Sequence, residues 1–120
     1  MPSAIELGAT TMCLLNWRID ETEGAAVVRF SGELDMSGRT TAGEAVQKAE
    51  RLGKALLVLD LSGLAFMDSS GLHLALDARE RAVEESRRLA LVVGPSRRIL
   101  EVAGVVELFD LLDEAPRADG

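Results

Sequence analysis

Apolar residues along this chain change their spacing several times, and each change marks an element. Between Cys13 and Asp20, and again from Ala25 to Ser31, apolar residues gather on either side of the polar stretch Glu21-Thr22-Glu23-Gly24. That arrangement predicts two strands joined as a hairpin. Gly32-Glu33-Leu34-Asp35-Met36-Ser37 interrupts the strand signal, and beyond it Ala42, Ala45, Val46, Ala49 and Leu52 recur at helical spacing. Ser37 is placed to cap that helix and Gly53 to stop it. Ala55 to Leu61 is continuously apolar up to Asp60, the pattern of a strand buried on both faces.

A second helix is predicted from a cap at Asp68 or Ser69 to about Ser86. Its apolar side is Leu72, Ala75, Leu76, Ala82 and Val83 with Arg79 at the edge, its stem buried, and Glu80, Arg81, Glu84, Glu85, Arg87 and Arg88 form a solvated face. Leu89 to Val93 predicts another strand, stopped by Gly94-Pro95. Ser96 then caps a third helix, Arg97 to about Phe109, in which Gly104 is either a break or a close contact. Leu111 and Leu112 begin a short last strand or turn. Residues 1–12 show no period and read as a flexible lead, and 113–120 as a polar tail. The domain between them, 13–112, runs strand, strand, helix, strand, helix, strand, helix. Strands alternating with helices imply an α/β fold with a largely parallel sheet.

Composition narrows what the domain can do. The chain of 120 residues is 48% hydrophobic but has only four aromatic residues, Trp17, Phe30, Phe66 and Phe109, so its core is aliphatic. Its net charge of −7 opposes phosphate backbones and anionic membrane surfaces, which argues against direct nucleic-acid binding. Cys13 is the single cysteine and His73 the single histidine, too few for an internal disulfide or a usual structural zinc site. No metal or cofactor is expected. The apolar runs are too short to span a bilayer, and no basic-then-apolar leader opens the chain. A cytoplasmic protein is expected.

The richest chemistry lies in Asp68-Ser69-Ser70-Gly71, between the longest apolar strand and a helix. A helix start presents free N–H groups and the positive dipole end, where phosphate is often held. Asp and Ser are also strong N-caps, so the same residues read as a plain helix start. Both readings hold together when one side chain caps and a neighbouring hydroxyl stays exposed. Gly71 keeps the loop open to a modifying enzyme. A phosphate here adds roughly −1.5 to −2 charges. The helix start tolerates it, so its main effect falls on a docked partner through bulk and desolvated like charge.

Other chemistries find little support. The nucleophile elbow G-x-S-x-G is absent. His73 follows the two hydroxyls by three and four residues on the same helix and reads as a surface or half-buried residue. Neither G-x-x-x-x-G-K-[ST] nor G-x-G-x-x-G occurs. Glu33 and Asp35, near Ser37, make an acid pair or a solvated turn. Arg97-Arg98 is too small a basic patch for nucleic acid. No enzyme is expected.

Two stretches closely resemble the STAS domains, specifically the bacterial anti-sigma factor antagonists. One is Phe30-Ser31-Gly32-Glu33-Leu34-Asp35. The other is Leu59 to Leu72, in which Phe66-Met67-Asp68-Ser69-Ser70-Gly71-Leu72 matches the family signature residue for residue. Gly94-Pro95-Ser96 and the segment Gly104 to Phe109 fit weaker family features. The resemblance implies a mixed sheet of four or five strands with helices packed mainly on one face. It implies partner switching: the unphosphorylated protein binds an anti-sigma factor, a serine kinase of the GHKL type, and frees a sigma factor. The kinase then phosphorylates a loop serine, which ends the interaction, and a serine phosphatase resets it. By resemblance the acceptor is Ser70, with Ser69 the alternative. Asp35, Ser37, Asp68, Ser69, Ser70, Gly71 and His73 would meet the partner. His73 departs from the small residue often found there. The other reading of the same fold is a scaffold or ligand-sensing module in another signalling complex.

Overall fold

The computed structural model describes residues 6–9 and 14–116. Among the described residues six strands form one mixed sheet in the order β1-β2-β3-β4-β5-β6. They are β1 (Glu6–Ala9), β2 (Leu15–Glu21), β3 (Ala25–Leu34), β4 (Leu56–Met67), β5 (Arg88–Val92) and β6 (Asp110–Leu111). The first three are antiparallel, and β3 to β6 are parallel neighbours. The four long strands satisfy the predicted count, and the short edges β1 and β6 bring it to six. β1 lies in the stretch expected as a lead. Four residues with one large apolar side chain, Leu7, carry too short an alternation to be seen in the sequence.

Three helices join the parallel strands: α1 (Arg39–Glu50), α2 (Ser69–Glu84) and α3 (Arg97–Ala103). Each crossover steps to the next strand in the same direction. With a constant right-handed crossover, all three helices must then lie on one face. The side chains agree. Leu15, Ile19, Val28, Phe30, Leu57, Leu59, Leu61, Leu89 and Leu91 point into one cluster with Ala42, Val46, Leu74, Ala75, Ala78 and Leu100 of the helices. Alternate strand residues Val27, Val58, Ala90 and Val92 form a separate cluster on the open face, packed against Leu112 and Ala115.

The open face also holds an ion network. Arg29 Nε donates to Asp20 Oδ2 at 2.6 Å and Arg29 Nη1 to Asp60 Oδ2 at 2.9 Å. Its remaining nitrogen reaches the Pro116 carbonyl at 3.3 Å. Both acids are buried, and a buried carboxylate needs such a partner. The first residues of the expected polar tail therefore dock on the sheet rather than trailing from it.

Several boundaries move for local reasons. β3 runs past Gly32, whose φ of +91° places its backbone against the Leu14 carbonyl and lets the strand bulge and continue to Leu34. β4 continues to Met67 beyond the uniform apolar run. The buried stripe of α2 is Leu74, Ala75, Ala78 and Ala82, with Leu72 and Leu76 at its edge and Val83 exposed. α3 is only seven residues, because Gly104 takes a left-handed φ of +74° and ends it; the glycine is the break, since a Cβ there would meet nothing. Ser96 makes no side-chain cap.

Candidate functional site

Pairing of β3 with β4 builds the site. Their parallel register ends at Leu34 opposite Met67, so the next residues, Asp35 and Asp68, leave the sheet side by side. The Asp68 N–H donates to the Leu34 carbonyl at 3.2 Å, which ties the two exits together. Each aspartate then starts a helical segment. Asp35 caps a 3₁₀ turn (Met36–Gly38) that leads into α1, and Asp68 caps α2. Ser37 was expected to cap α1; instead its N–H and hydroxyl both donate to Asp35 Oδ1, at 3.0 and 2.6 Å. Asp35 thereby caps the 3₁₀ turn, and α1 itself starts after Gly38 with no side-chain cap. The Ser37 hydroxyl, with the N–H groups of Ser37 and Gly38, holds the Asp35 carboxyl below its ordinary value of 3.8, against the opposing effect of partial burial.

Asp68 Oδ1 accepts from the Ser70 N–H at 2.7 Å. The two neighbouring hydroxyls therefore differ. Ser69, at the first helical position, is exposed. Ser70, one position on, turns towards the core side and is 6% exposed, on the stripe that continues through Leu74 and Ala78. His73 is exposed on the strip of Ser69, and Asp77, four residues further, reaches Arg39 of α1 at 3.7 Å. Gly71 is buried rather than open. A Cβ there would overlap the Met67 side chain and crowd Leu34, so the glycine lets the first turn of α2 settle on the ends of β3 and β4.

The third exit lies on the same edge. After β5, Gly94-Pro95-Ser96 forms a 3₁₀ turn leading into α3. Gly94 is held close to Ser62 of β4 with a φ of +50°. Between β4 and α3 opens a groove of about 380 Å³, lined mainly by Leu64, Phe66, Met67, Pro95, Ile99 and Val102, with Arg98 beside it. Phe66, Val102 and, on the first exit, Met36 are large apolar side chains left in solvent. Sequence reasoning missed this surface. Its signal was the apolar Phe66, three residues ahead of Ser69, which a core reading absorbs equally well.

The two exits set Asp35 and Ser37 beside Asp68 and the first turn of α2, where Ser69 and His73 are exposed and Ser70 and Gly71 are buried. Among the described residues no group of three or more His, Cys, Asp or Glu is placed to hold a metal, and no helix is long and apolar enough to cross a membrane. The rim offers hydroxyls, capped N–H groups and exposed apolar side chains, a set suited to docking and modification.

Residues 16–117 match the model of the STAS domain family. A curated relative from Paenibacillus polymyxa, named an anti-sigma F factor antagonist, is 30% identical over 110 residues, covering 87% of this chain and 92% of its own. A crystal structure of an anti-sigma factor antagonist from Mycobacterium paratuberculosis superposes with a TM-score of 0.74 at 26% identity, with 93% of both chains covered. The unphosphorylated form of the anti-sigma factor antagonist SpoIIAA shares the fold, with a TM-score of 0.62 at 23% identity over 93% of this chain and 90% of that one.

Proposed function

The chain belongs to the STAS domain family, and from that premise we propose that it is an anti-sigma factor antagonist switched by phosphorylation at the start of α2. Unphosphorylated, it binds an anti-sigma factor, a serine kinase of the GHKL type, and so frees a sigma factor. Phosphorylation of Ser70, or alternatively of Ser69, ends that binding, and a serine phosphatase restores it. The protein acts in the cytoplasm as a binding module and carries out no turnover of its own.

One observation carries this reading: two hydroxyls stand in the first turn of a helix already capped by Asp68, beside a second capped exit and exposed apolar side chains. The cap keeps the turn formed, so a phosphate arrives at a ready helix start and need not build one. There it sits close to the Asp68 carboxylate, and next to Asp35 across the two exits. The added charge makes the rim costly to bury against a partner; on Ser69 it lies in solvent, whereas on Ser70 it has to turn out from the buried side of α2.

The test is a paired capture from native lysate with wild type and Ser70→Asp as baits, read by mass spectrometry. The expected result is a GHKL-type kinase retained by wild type and lost by Ser70→Asp, while Ser70→Ala retains it and resists release by ATP. If Ser70→Asp and Ser69→Asp both hold the kinase as tightly as wild type, the charge switch fails. Capture of no such kinase by wild type removes the anti-sigma reading and leaves a scaffold.

A further inference from the structure

The groove between β4 and α3 is separate from the two hydroxyls, yet shares a wall with them. Met67 lines the groove and is also the side chain against which Gly71 of the first α2 turn is packed. Phe66 is 50% exposed and Val102 78% exposed on its two sides, while Leu64 closes its floor. Water gains little from such a surface, and a partner's apolar side chain would remove it from solvent.

Charge indicates what accompanies that side chain. Arg97 Nε is bonded to Glu101 at 3.0 Å. Arg98, which lines the groove, is exposed and has no acidic partner among the described residues. In a chain of net charge −7, one free guanidinium beside an apolar groove selects for a carboxylate.

Resting on the anti-sigma reading, we infer that this groove is a second docking point for the anti-sigma factor, taking an apolar side chain flanked by a carboxylate that Arg98 reads. The hydroxyl loop switches the complex, and the groove contributes to which kinase is chosen. An apolar contact with a guanidinium at its rim is the kind of site in which a few residues dominate affinity.

The test titrates each GHKL-type kinase encoded in the source genome, purified, against wild type, Arg98→Glu, Arg98→Lys, Val102→Asp and Arg88→Glu by calorimetry. Arg88 opens β5 at the far end of the sheet, is exposed and has no acidic partner among the described residues, so it controls for net charge. The kinase that binds wild type is expected to lose about tenfold or more in affinity with Arg98→Glu and with Val102→Asp. Arg98→Lys and Arg88→Glu should stay within about threefold. Arg98 is exposed, so its variants fold even where Val102→Asp does not. Equal binding by wild type and Arg98→Glu overturns the groove while leaving the antagonist reading intact, and so does an equal loss with Arg88→Glu. Binding of no kinase by wild type overturns both.

Discussion

At positions 69 and 70 two identical hydroxyls meet different surroundings because a helix turns by about 100° per residue. Ser69 faces solvent with His73, whereas Ser70 faces the side of Leu74 and has its N–H bound to Asp68. The same economy of short range is seen at Asp35, whose carboxyl is held low first by the Ser37 hydroxyl. A carboxyl depressed in the folded state adds stability that is fully present above its unfolded value, near 3.8. That stability is lost as pH falls through the lower folded value. Ser37→Ala should therefore raise the Asp35 titration midpoint towards 3.8 and shrink this acid-side loss. Carboxyl-detected NMR titration of both proteins reads it directly, and an unmoved midpoint means the hydroxyl bond does not form in solution.

Among the elements, β4 has the greatest structural role: it pairs with β3 and β5, carries the core on one face, and ends at the loop that holds Asp68. Leu59 is fully buried there, and Leu59→Ala should cost about 2–5 kcal/mol in urea unfolding. At the end of α3, Gly104→Ala forces a side chain into a left-handed φ and should cost about 1–2 kcal/mol with no change of core. The central strands were readable because uniform apolar runs leave few alternatives. So was the Asp68 cap, whose partner lies two residues away. What the sequence hid was set by distant pairing: the bulge at Gly32, the extension of β4 past Ser62, and the packing of Gly71 on Met67 all depend on a neighbouring strand. The apolar groove was hidden likewise, since no periodicity states that Phe66 and Val102 share an edge.

Taken whole, the molecule has one face closed by helices and one closed by little more than Arg29 and the segment from Leu112 to Pro116. Arg29→Ala strands Asp60 without its cation and weakens the hold on Asp20, which keeps Arg18. A loss of about 3 kcal/mol is expected in urea unfolding, with faster hydrogen exchange at Leu112, whose N–H now bonds to Leu91. Unchanged exchange there would show that Arg29 does not hold the segment. The strict forward march of the parallel strands has a further consequence. It sends all three helix starts to one edge, where short loops join each strand to its helix. Drift at exposed positions of those loops, such as Met36, Ser69 and Pro95, is nearly free of foldability constraints, while Gly71 and Gly94 are fixed by their neighbours. A genome that duplicates such a scaffold therefore gains copies whose exposed rim can diverge within a few substitutions, without any redesign of the protein beneath.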